Sequence, residues 1–139
     1  MSDSIETIFD EALKKYQEGE PASTLIPTFQ DICRTAPKNS AAWTCLSWLY
    51  LLEENHQQAL SAAQTSVRIE PRDPQTHLNL ALAMLDGGKK GVRKHIEIVQ
   101  QAIDFDEDIR SSIKENIEEG LQRKPDWKGL QKAQKWLFS

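Results

Sequence analysis

Three histidines are the side chains of this sequence best suited to metal chemistry. His56, His77 and His95 stand about 20 residues apart, each on a different predicted helix. None has a second ligand three or four positions away, apart from Glu97 and acids of the ordinary surface kind, so the spacing of a helical zinc site is absent. We therefore expect solvated or core-edge histidines and no metal site.

Nucleophilic and nucleotide chemistry also lack their usual patterns. Cys33 and Cys45 fall on successive predicted helices, where a cytoplasmic chain keeps such residues as small buried thiols, although their pairing stays open. No Gly-x-Ser-x-Gly elbow is present, and no orienting acid accompanies a cysteine and a histidine. The glycine-rich segment 87–91 lacks the Lys-Ser/Thr ending of a phosphate-binding loop. The sequence predicts no enzymatic activity and no cofactor.

Length and charge limit the class of protein further. A chain of 139 residues predicts one domain over residues 1–139. The net charge of −4 argues against duplex nucleic acid, which needs a clustered basic face. No apolar stretch reaches the length of a membrane span, and the acidic N-terminus does not resemble a secretory signal. We expect a cytoplasmic protein that touches membranes only peripherally, if at all.

A repeat of 34 residues organises most of the chain. Pro37 and Pro71 stand 34 positions apart in similar settings, and two segments with apolar spacing of three and four precede each proline. This spacing predicts amphipathic helices, which each proline ends. The predicted helical pairs are about 4–17 with 22–35, 40–53 with 56–69, and 74–86 with 91–104.

The middle repeat carries the residues of a tetratricopeptide repeat (TPR). Trp43, Leu46 and Tyr50 occupy the aromatic, leucine and tyrosine positions of its first helix. Ala59 and Pro71 occupy the small position and the closing position of its second helix. On these residues the chain resembles a small three-repeat TPR protein.

The resemblance implies an all-α fold, a TPR-type α-α superhelix of three helical hairpins with two C-terminal capping helices. The three repeats cover about 6–39, 40–73 and 74–109, and the capping helices about 110–139. The third repeat departs from the pattern, because His77 stands where tryptophan is expected and two residues are inserted within 87–91.

The resemblance also indicates which side chains face the concave groove of the superhelix. Exposed apolar patches of this kind usually mark a binding surface, and an amphipathic or apolar segment of a protein partner is the expected ligand. For Leu51 and Leu85, packing between helices remains an alternative. The candidate partner-binding residues are Lys14, Thr44, Trp48, Leu52, Leu78 and Leu82. Lys14 alone does not supply the cationic clamp with which some family members hold a C-terminal carboxylate.

The C-terminal segment is unusually aromatic for a terminal helix. Trp127 and Leu130 are expected to pack on the preceding helix near Ile117. Trp136, Leu137 and Phe138 stand at the free end, where local packing, a second copy of the chain and a client are all open as partners. These three residues form a candidate association tail, so self-association is open as well.

Taken together, these patterns favour a non-catalytic protein–protein interaction module. It is expected to act as an adaptor or assembly chaperone that holds an apolar or helical client segment in its groove, as small members of the family do. The alternative is a regulatory or nucleic-acid-associated module that uses the basic region Lys89–Lys94 and the basic C-terminal tail. Binding that weakens steeply with salt would favour this alternative.

Overall fold

The computed structural model describes residues 4–139, which form eight α-helices and no strand. The expectation that the N-terminus does not resemble a secretory signal falls partly on residues 1–3, which lie outside the described residues. The all-α prediction is confirmed. The helices are α1 (Ile5–Gln17), α2 (Ala22–Thr35), α3 (Ser40–Leu52), α4 (His56–Ile69), α5 (Pro74–Asp86), α6 (Arg93–Phe105), α7 (Glu107–Arg123) and α8 (Lys128–Phe138).

Each helix packs on the next one along the chain, which is the arrangement of stacked helical hairpins. The pairs α1–α2, α3–α4 and α5–α6 form the three hairpins, and their ends fall within two residues of the predicted bounds. In addition, α3 contacts α5, and α8 contacts both α5 and α6. Three hairpins followed by two C-terminal helices are therefore the observed architecture, as the sequence predicts.

Polar side chains fix where most helices begin. At five helix starts a side-chain oxygen accepts a hydrogen bond from a backbone N–H of the first turn, which satisfies a donor that has no partner within the helix. Asn39 and Asp73 are among them, and Pro74 occupies the first turn of α5. The capping residues are Ser4, Asn39, Asn55, Asp73 and Asp106.

The loop between α5 and α6 absorbs the inserted residues of the third repeat. Gly88 and Gly91 have φ angles of +67° and +93°, in the left-handed region that glycine adopts without steric cost. Gly87, the C-cap of α5, instead has a φ of −90°.

The residues that define the repeat pattern lie where the hairpins meet. Ala59 is fully buried, so α3 and α4 approach closely. Phe29 is 1% exposed and meets the ring of Phe9 edge-on, with 5.7 Å between centroids. Trp43 is half-buried, and its Nε1 donates to the Pro37 carbonyl at 2.9 Å. Large aromatic side chains thus pack within the first hairpin and against the loop that leads into the second.

A single glycine permits the close approach of α7 to the rest of the core. A Cβ atom on Gly120 would lie 2.8 Å from both Trp48 Cζ2 and Leu130 Cδ2, which is well inside van der Waals contact. Both of these side chains are buried, so neither moves aside freely.

Gly120→Ala is therefore expected to lower the free energy of unfolding by about 1–3 kcal/mol, the usual cost of overpacking. This loss would occur even though alanine favours a helix over glycine by about 1 kcal/mol. Urea unfolding measures the change, with Glu118→Ala on the exposed face of α7 as the control. A more stable Gly120→Ala protein would contradict the close contact.

Candidate functional site

A cavity of about 620 Å³ lies between the first helices of the three hairpins and α7. Its size is within the range of ligand-binding pockets in proteins. Side chains from α1, α2 and α3 form an apolar floor, made of Leu13, Tyr16, Phe29, Cys45, Trp48 and Leu49. Side chains from α5 and α7 form a polar wall, made of Gln75, Asn79, Glu115, Asn116, Glu119, Gln122 and Arg123.

Helix α7 forms one side of the cavity, and its side chains contact the C-terminal end of α1. The Tyr16 hydroxyl donates to the Glu119 carboxylate, and Trp48 Nε1 donates to the Tyr16 oxygen at 2.8 Å. Arg123 donates to Glu119 at 2.9 Å, to the Tyr16 carbonyl at 2.6 Å and to the Glu20 carbonyl at 3.0 Å. Its guanidinium also lies 4.0 Å above the Tyr16 ring. We call Tyr16, Glu20, Glu119 and Arg123 the α1–α7 clasp.

Among the described residues that line the cavity, the one cation, Arg123, is already paired within the clasp. Burial, followed by the hydrogen bond to Glu119, raises the pKa of Tyr16, so the phenol remains a donor at neutral pH. Arg123 is paired with Glu119 on α7 itself. Glu115 lines the cavity, is exposed, and has no ion-pair partner among the described residues. The free charge of the lining is therefore negative.

A chain of amide hydrogen bonds holds the opposite wall. Asn116 donates to Gln75 at 2.9 Å, and Gln75 donates to Asn79 at the same distance. Asn79 is fully buried, and its Nδ2 donates to the Thr44 carbonyl and to Ser47 Oγ. Among residues 4–139 every buried side-chain nitrogen and oxygen has a hydrogen-bond partner, and this chain of bonds links α7, α5 and α3.

The expectation that Trp48 is exposed in the groove is wrong. Its side chain is 9% exposed, its ring centroid lies 5.3 Å from that of Trp127, and Gly120 lies against its edge. The chain's own α7 and α8 cover this part of the groove. Trp48 contributes an edge to the cavity floor, but most of its surface belongs to the core.

The other predicted groove residues have three different environments. Leu78 and Leu82 are fully buried, so the expected exposure of these two leucines is wrong as well, and their packing is that of core residues. Thr44 is 7% exposed and lines the cavity. Leu52 is half-buried and Lys14 is exposed, and neither lines the cavity.

Sequence reasoning missed the whole contribution of α7 to the site. Its apolar residues Ile113 and Ile117 are buried at a spacing of four, and Gly120 follows one turn later. This spacing indicates that α7 is a packed helix, but it does not specify which helices α7 packs against.

The candidate association tail is divided between the core and the surface. Leu137 is 4% exposed and belongs to the core, and Phe138 is half-buried with the Arg110 guanidinium 5.3 Å from its ring. Trp136 alone is largely free, at 49% exposure. Its role in self-association remains a prediction.

A second, polar cavity of about 440 Å³ lies where α8 begins. Trp127 Nε1 donates to both oxygens of Asp86, at 3.2 and 3.0 Å. Burial raises the pKa of Asp86, and the hydrogen bond from Trp127 opposes this shift. Asp86 thus anchors the start of α8. The basic side chains of Lys89–Lys94 are exposed on and beside the α5–α6 loop and line neither cavity.

The structure brings two of the three histidines together. His77 and His95, on α5 and α6, have their Nδ1 atoms 3.0 Å apart. Burial, followed by His77 and Lys94, lowers the pKa of His95, so His95 is neutral at pH 7. No group of three or more His, Cys, Asp or Glu side chains is placed to hold a metal in the part of the chain that the structure describes.

The cysteines are free thiols, Cys33 being buried and Cys45 half-buried. Burial raises the pKa of each thiol to about 12. Both are therefore protonated at neutral pH, whereas the thiolate is the nucleophilic form.

These stacked hairpins, with their first helices around a common cavity, define a TPR-type helical repeat fold. The structure is similar to that of the Yersinia enterocolitica type III secretion translocator chaperone SycD, with a TM-score of 0.70 and 16% sequence identity. The match covers 89% of this chain and 94% of SycD. It is also similar to the Sgt2 TPR domain of Aspergillus fumigatus, with a TM-score of 0.56 and 15% sequence identity. That match covers 96% of this chain and 79% of the Sgt2 domain. Both likenesses show the fold.

By sequence, no protein-family model and no curated protein matches the chain. Among residues 4–139, no helix combines the length and the apolar character needed to cross a membrane.

Proposed function

We propose that this chain is a non-catalytic protein-binding module that holds a short, extended, apolar segment of a protein partner. The cavity between α1, α3, α5 and α7 is the observation that carries this proposal. It combines an apolar floor, which favours apolar side chains, with amide groups along one wall. Pockets with mostly apolar linings and a few placed polar groups are typical binding sites.

The size of the cavity favours an extended segment over a helix. One helical turn is a cylinder about 10–12 Å wide and about 5.4 Å long, which occupies roughly 400–600 Å³. The cavity of about 620 Å³ corresponds to about one such turn, so a helix of several turns would extend beyond it. We therefore favour an extended segment, with the amphipathic helix that the sequence also allowed as the alternative.

The polar groups favour an internal segment rather than a chain terminus. Gln122 and the side-chain carbonyl oxygen of Asn116, which are not used in the amide chain, offer hydrogen bonds to the unpaired backbone of an extended peptide. Arg123 is already engaged in the clasp, so no cation is available to hold a C-terminal carboxylate. Exposed Glu115 favours a lysine or arginine beside the apolar residues of the partner.

The structural neighbours support the same class of function without specifying a client. SycD is a translocator chaperone, so this fold serves a chaperone role in at least one protein of similar length. In our proposal the present chain acts as an adaptor or assembly chaperone in the cytoplasm, the location expected from its sequence.

Selection from a phage-displayed library of dodecapeptides tests the proposal. We expect enriched peptides with a short apolar run next to a lysine or arginine, binding equally well as free acids and as C-terminal amides. Gln122→Trp should fill the cavity from the exposed side of α7 and weaken these peptides at least tenfold, or by about 1.4 kcal/mol.

Gln101→Trp, which adds the same side chain on an exposed position of α6 outside the cavity, is the matched control. Equal loss in both variants, or no enrichment at all, would refute the cavity as the binding site. Peptides that are acidic and lose affinity steeply with salt would instead favour the exposed basic region Lys89–Lys94.

A further inference from the structure

The large hydrophobic side chains that remain exposed lie on one class of helix. Among residues 4–139 they are Ile69, Ile98, Phe105 and Trp136. All four belong to α4, α6 or α8, the second helices of their pairs, and all but Ile98 stand in the last turn of the helix. Because the second helices of stacked hairpins run parallel to one another, these last turns lie at the same edge of the array.

The ends of α6 and α8 are neighbours at this edge. Helix α8 packs on α6 as well as on α7. Phe105 is the last residue of α6, and α7 begins two residues later. The Arg110 guanidinium, in the first turns of α7, lies 5.3 Å from the ring of Phe138 at the end of α8. We call residues 104–108 and 132–138 the aromatic edge.

Two aromatic side chains of the aromatic edge are open to water. Phe105 is 92% exposed and Trp136 is 49% exposed. Single exposed apolar residues are ordinary, whereas aromatic residues grouped at a surface are characteristic of the core of protein–protein interfaces. The sequence indicated Trp136 as part of an association tail, but it did not indicate Phe105, which comes from another helix.

The charges of the aromatic edge are divided into an acidic and a basic half. The turn from α6 to α7 carries four carboxylates and no base, from Asp104, Asp106, Glu107 and Asp108. Helix α8 carries three lysines and no acid, and its Lys132 and Lys135 are exposed. No ion pair among residues 4–139 involves either half. Each half therefore has its opposite charge available to a partner.

We propose that the aromatic edge is the interface of a homodimer, in which a second copy of this chain is related to the first by a two-fold axis. The acidic turn of each copy then meets α8 of the other, and each Phe105 packs against the opposite Trp136. Every contact occurs twice, as a two-fold interface requires. No residue of α4, α6 or α8 lines the cavity, so the dimer leaves the proposed peptide site open.

The division of charge favours a second copy over other partners. An anionic lipid surface or nucleic acid would attract α8 but would be repelled by the four carboxylates beside it, and a purely basic partner would be repelled by the lysines. A surface with one acidic and one basic half is instead complementary to itself after a two-fold rotation.

The aromatic area indicates a weak dimer. Since a fully exposed aromatic side chain presents about 150–250 Å², Phe105 and Trp136 together expose roughly 300 Å² in each copy. The pair of copies would bury roughly 600 Å² of aromatic surface, about half of the 1,200 Å² at the lower limit of stable interfaces. The remainder has to come from the charged residues around the two rings.

Sedimentation equilibrium of the full-length chain from about 1 µM to 1 mM tests the proposal. We expect a monomer–dimer equilibrium with a dissociation constant of about 10–100 µM. Added salt should weaken it, because exposed ion pairs are screened. Phe105→Ser should weaken the dimer at least tenfold while keeping the circular dichroism of the parent.

Charge reversal identifies the two halves of the interface. Lys132→Glu with Lys135→Glu reverses the basic half, and Asp104→Lys with Glu107→Lys reverses the acidic half. Each double variant alone should be monomeric, because like charges then face each other. An equimolar mixture of the two should form a heterodimer, since one of its two contacts is native and the other is reversed on both sides.

Lys89→Glu with Lys90→Glu is the matched control, because it makes the same change of charge at exposed positions outside the aromatic edge. This variant should dimerise like the parent. A chain that stays monomeric at about 1 mM would overturn the proposal, as would a dimer that survives Phe105→Ser or a mixture that stays monomeric. A monomeric chain that sediments with phosphatidylserine vesicles would assign the edge to a lipid surface instead.

Discussion

Replacing Trp48 by alanine is expected to lower the free energy of unfolding by about 3–5 kcal/mol, the usual cost of removing a large core aromatic. The indole is in contact with Trp127 and Gly120 and donates to the Tyr16 hydroxyl, so it joins α3 to α1, α7 and α8. Urea unfolding followed by circular dichroism measures the loss. Trp48→Glu should unfold the chain, because a carboxylate at this buried position would lose the packing against Trp127 and stand near the Glu119 carboxylate that Tyr16 binds.

Trp136→Ala is the matched control, since it removes the same side chain from a position that is 49% exposed. We expect a change within about 0.5 kcal/mol, as for other surface substitutions. Similar losses in the two variants would mean that Trp48 is not part of the core. Sedimentation of Trp136→Ala also tests the predicted association tail, because a dimer that dissociates in this variant would assign the tail a role in self-association.

Ending the chain after Lys124, which deletes α8, is expected to abolish cooperative folding at 25 °C. The deletion removes Trp127, Leu130 and Leu137, which are each less than 5% exposed. Full burial of a large apolar side chain is worth about 1.5–3 kcal/mol, so the three together approach the 5–15 kcal/mol of a typical domain. The remaining chain would also expose Trp48. Near-ultraviolet circular dichroism and the urea transition measure the effect.

A chain that ends after Lys135 is the control for this deletion. It retains Trp127 and Leu130 and loses only Leu137 among the fully packed residues, so we expect a folded protein destabilised by about 1.5–3 kcal/mol. If deletion of α8 caused no greater loss than this shorter deletion, the helix would not be an integral part of the core.

The fold could be predicted because its determinants are local. The spacing of apolar residues fixes each helix, residues such as Asn39 and Asp73 fix where helices begin, and Pro37 and Pro71 follow the second helices. These signals repeat with a regular period, so one well-matched unit defines the register of its neighbours.

The site could be predicted only in part, because α7, one of the helices that line the cavity, lies outside the three repeats. The first helices were correctly placed around a common space, and Thr44 and Trp48 do line the cavity. Whether Trp48, Leu78 and Leu82 are exposed depends on whether a later segment covers the groove. Such covering is a contact between distant parts of the chain, which local spacing does not specify. Nothing in the spacing of residues 110–139 specifies that α7 reaches α1.

The α1–α7 clasp changes how this repeat array should unfold. In an open array each unit contacts only its neighbours, so the terminal units open first and the middle units remain folded longer. Here Tyr16 and Glu119, 103 positions apart, are bonded, so fraying of the first helix also removes a contact of the seventh. We therefore expect amide hydrogen exchange to give a nearly uniform free energy of local opening from α1 to α7, as in a single cooperative unit.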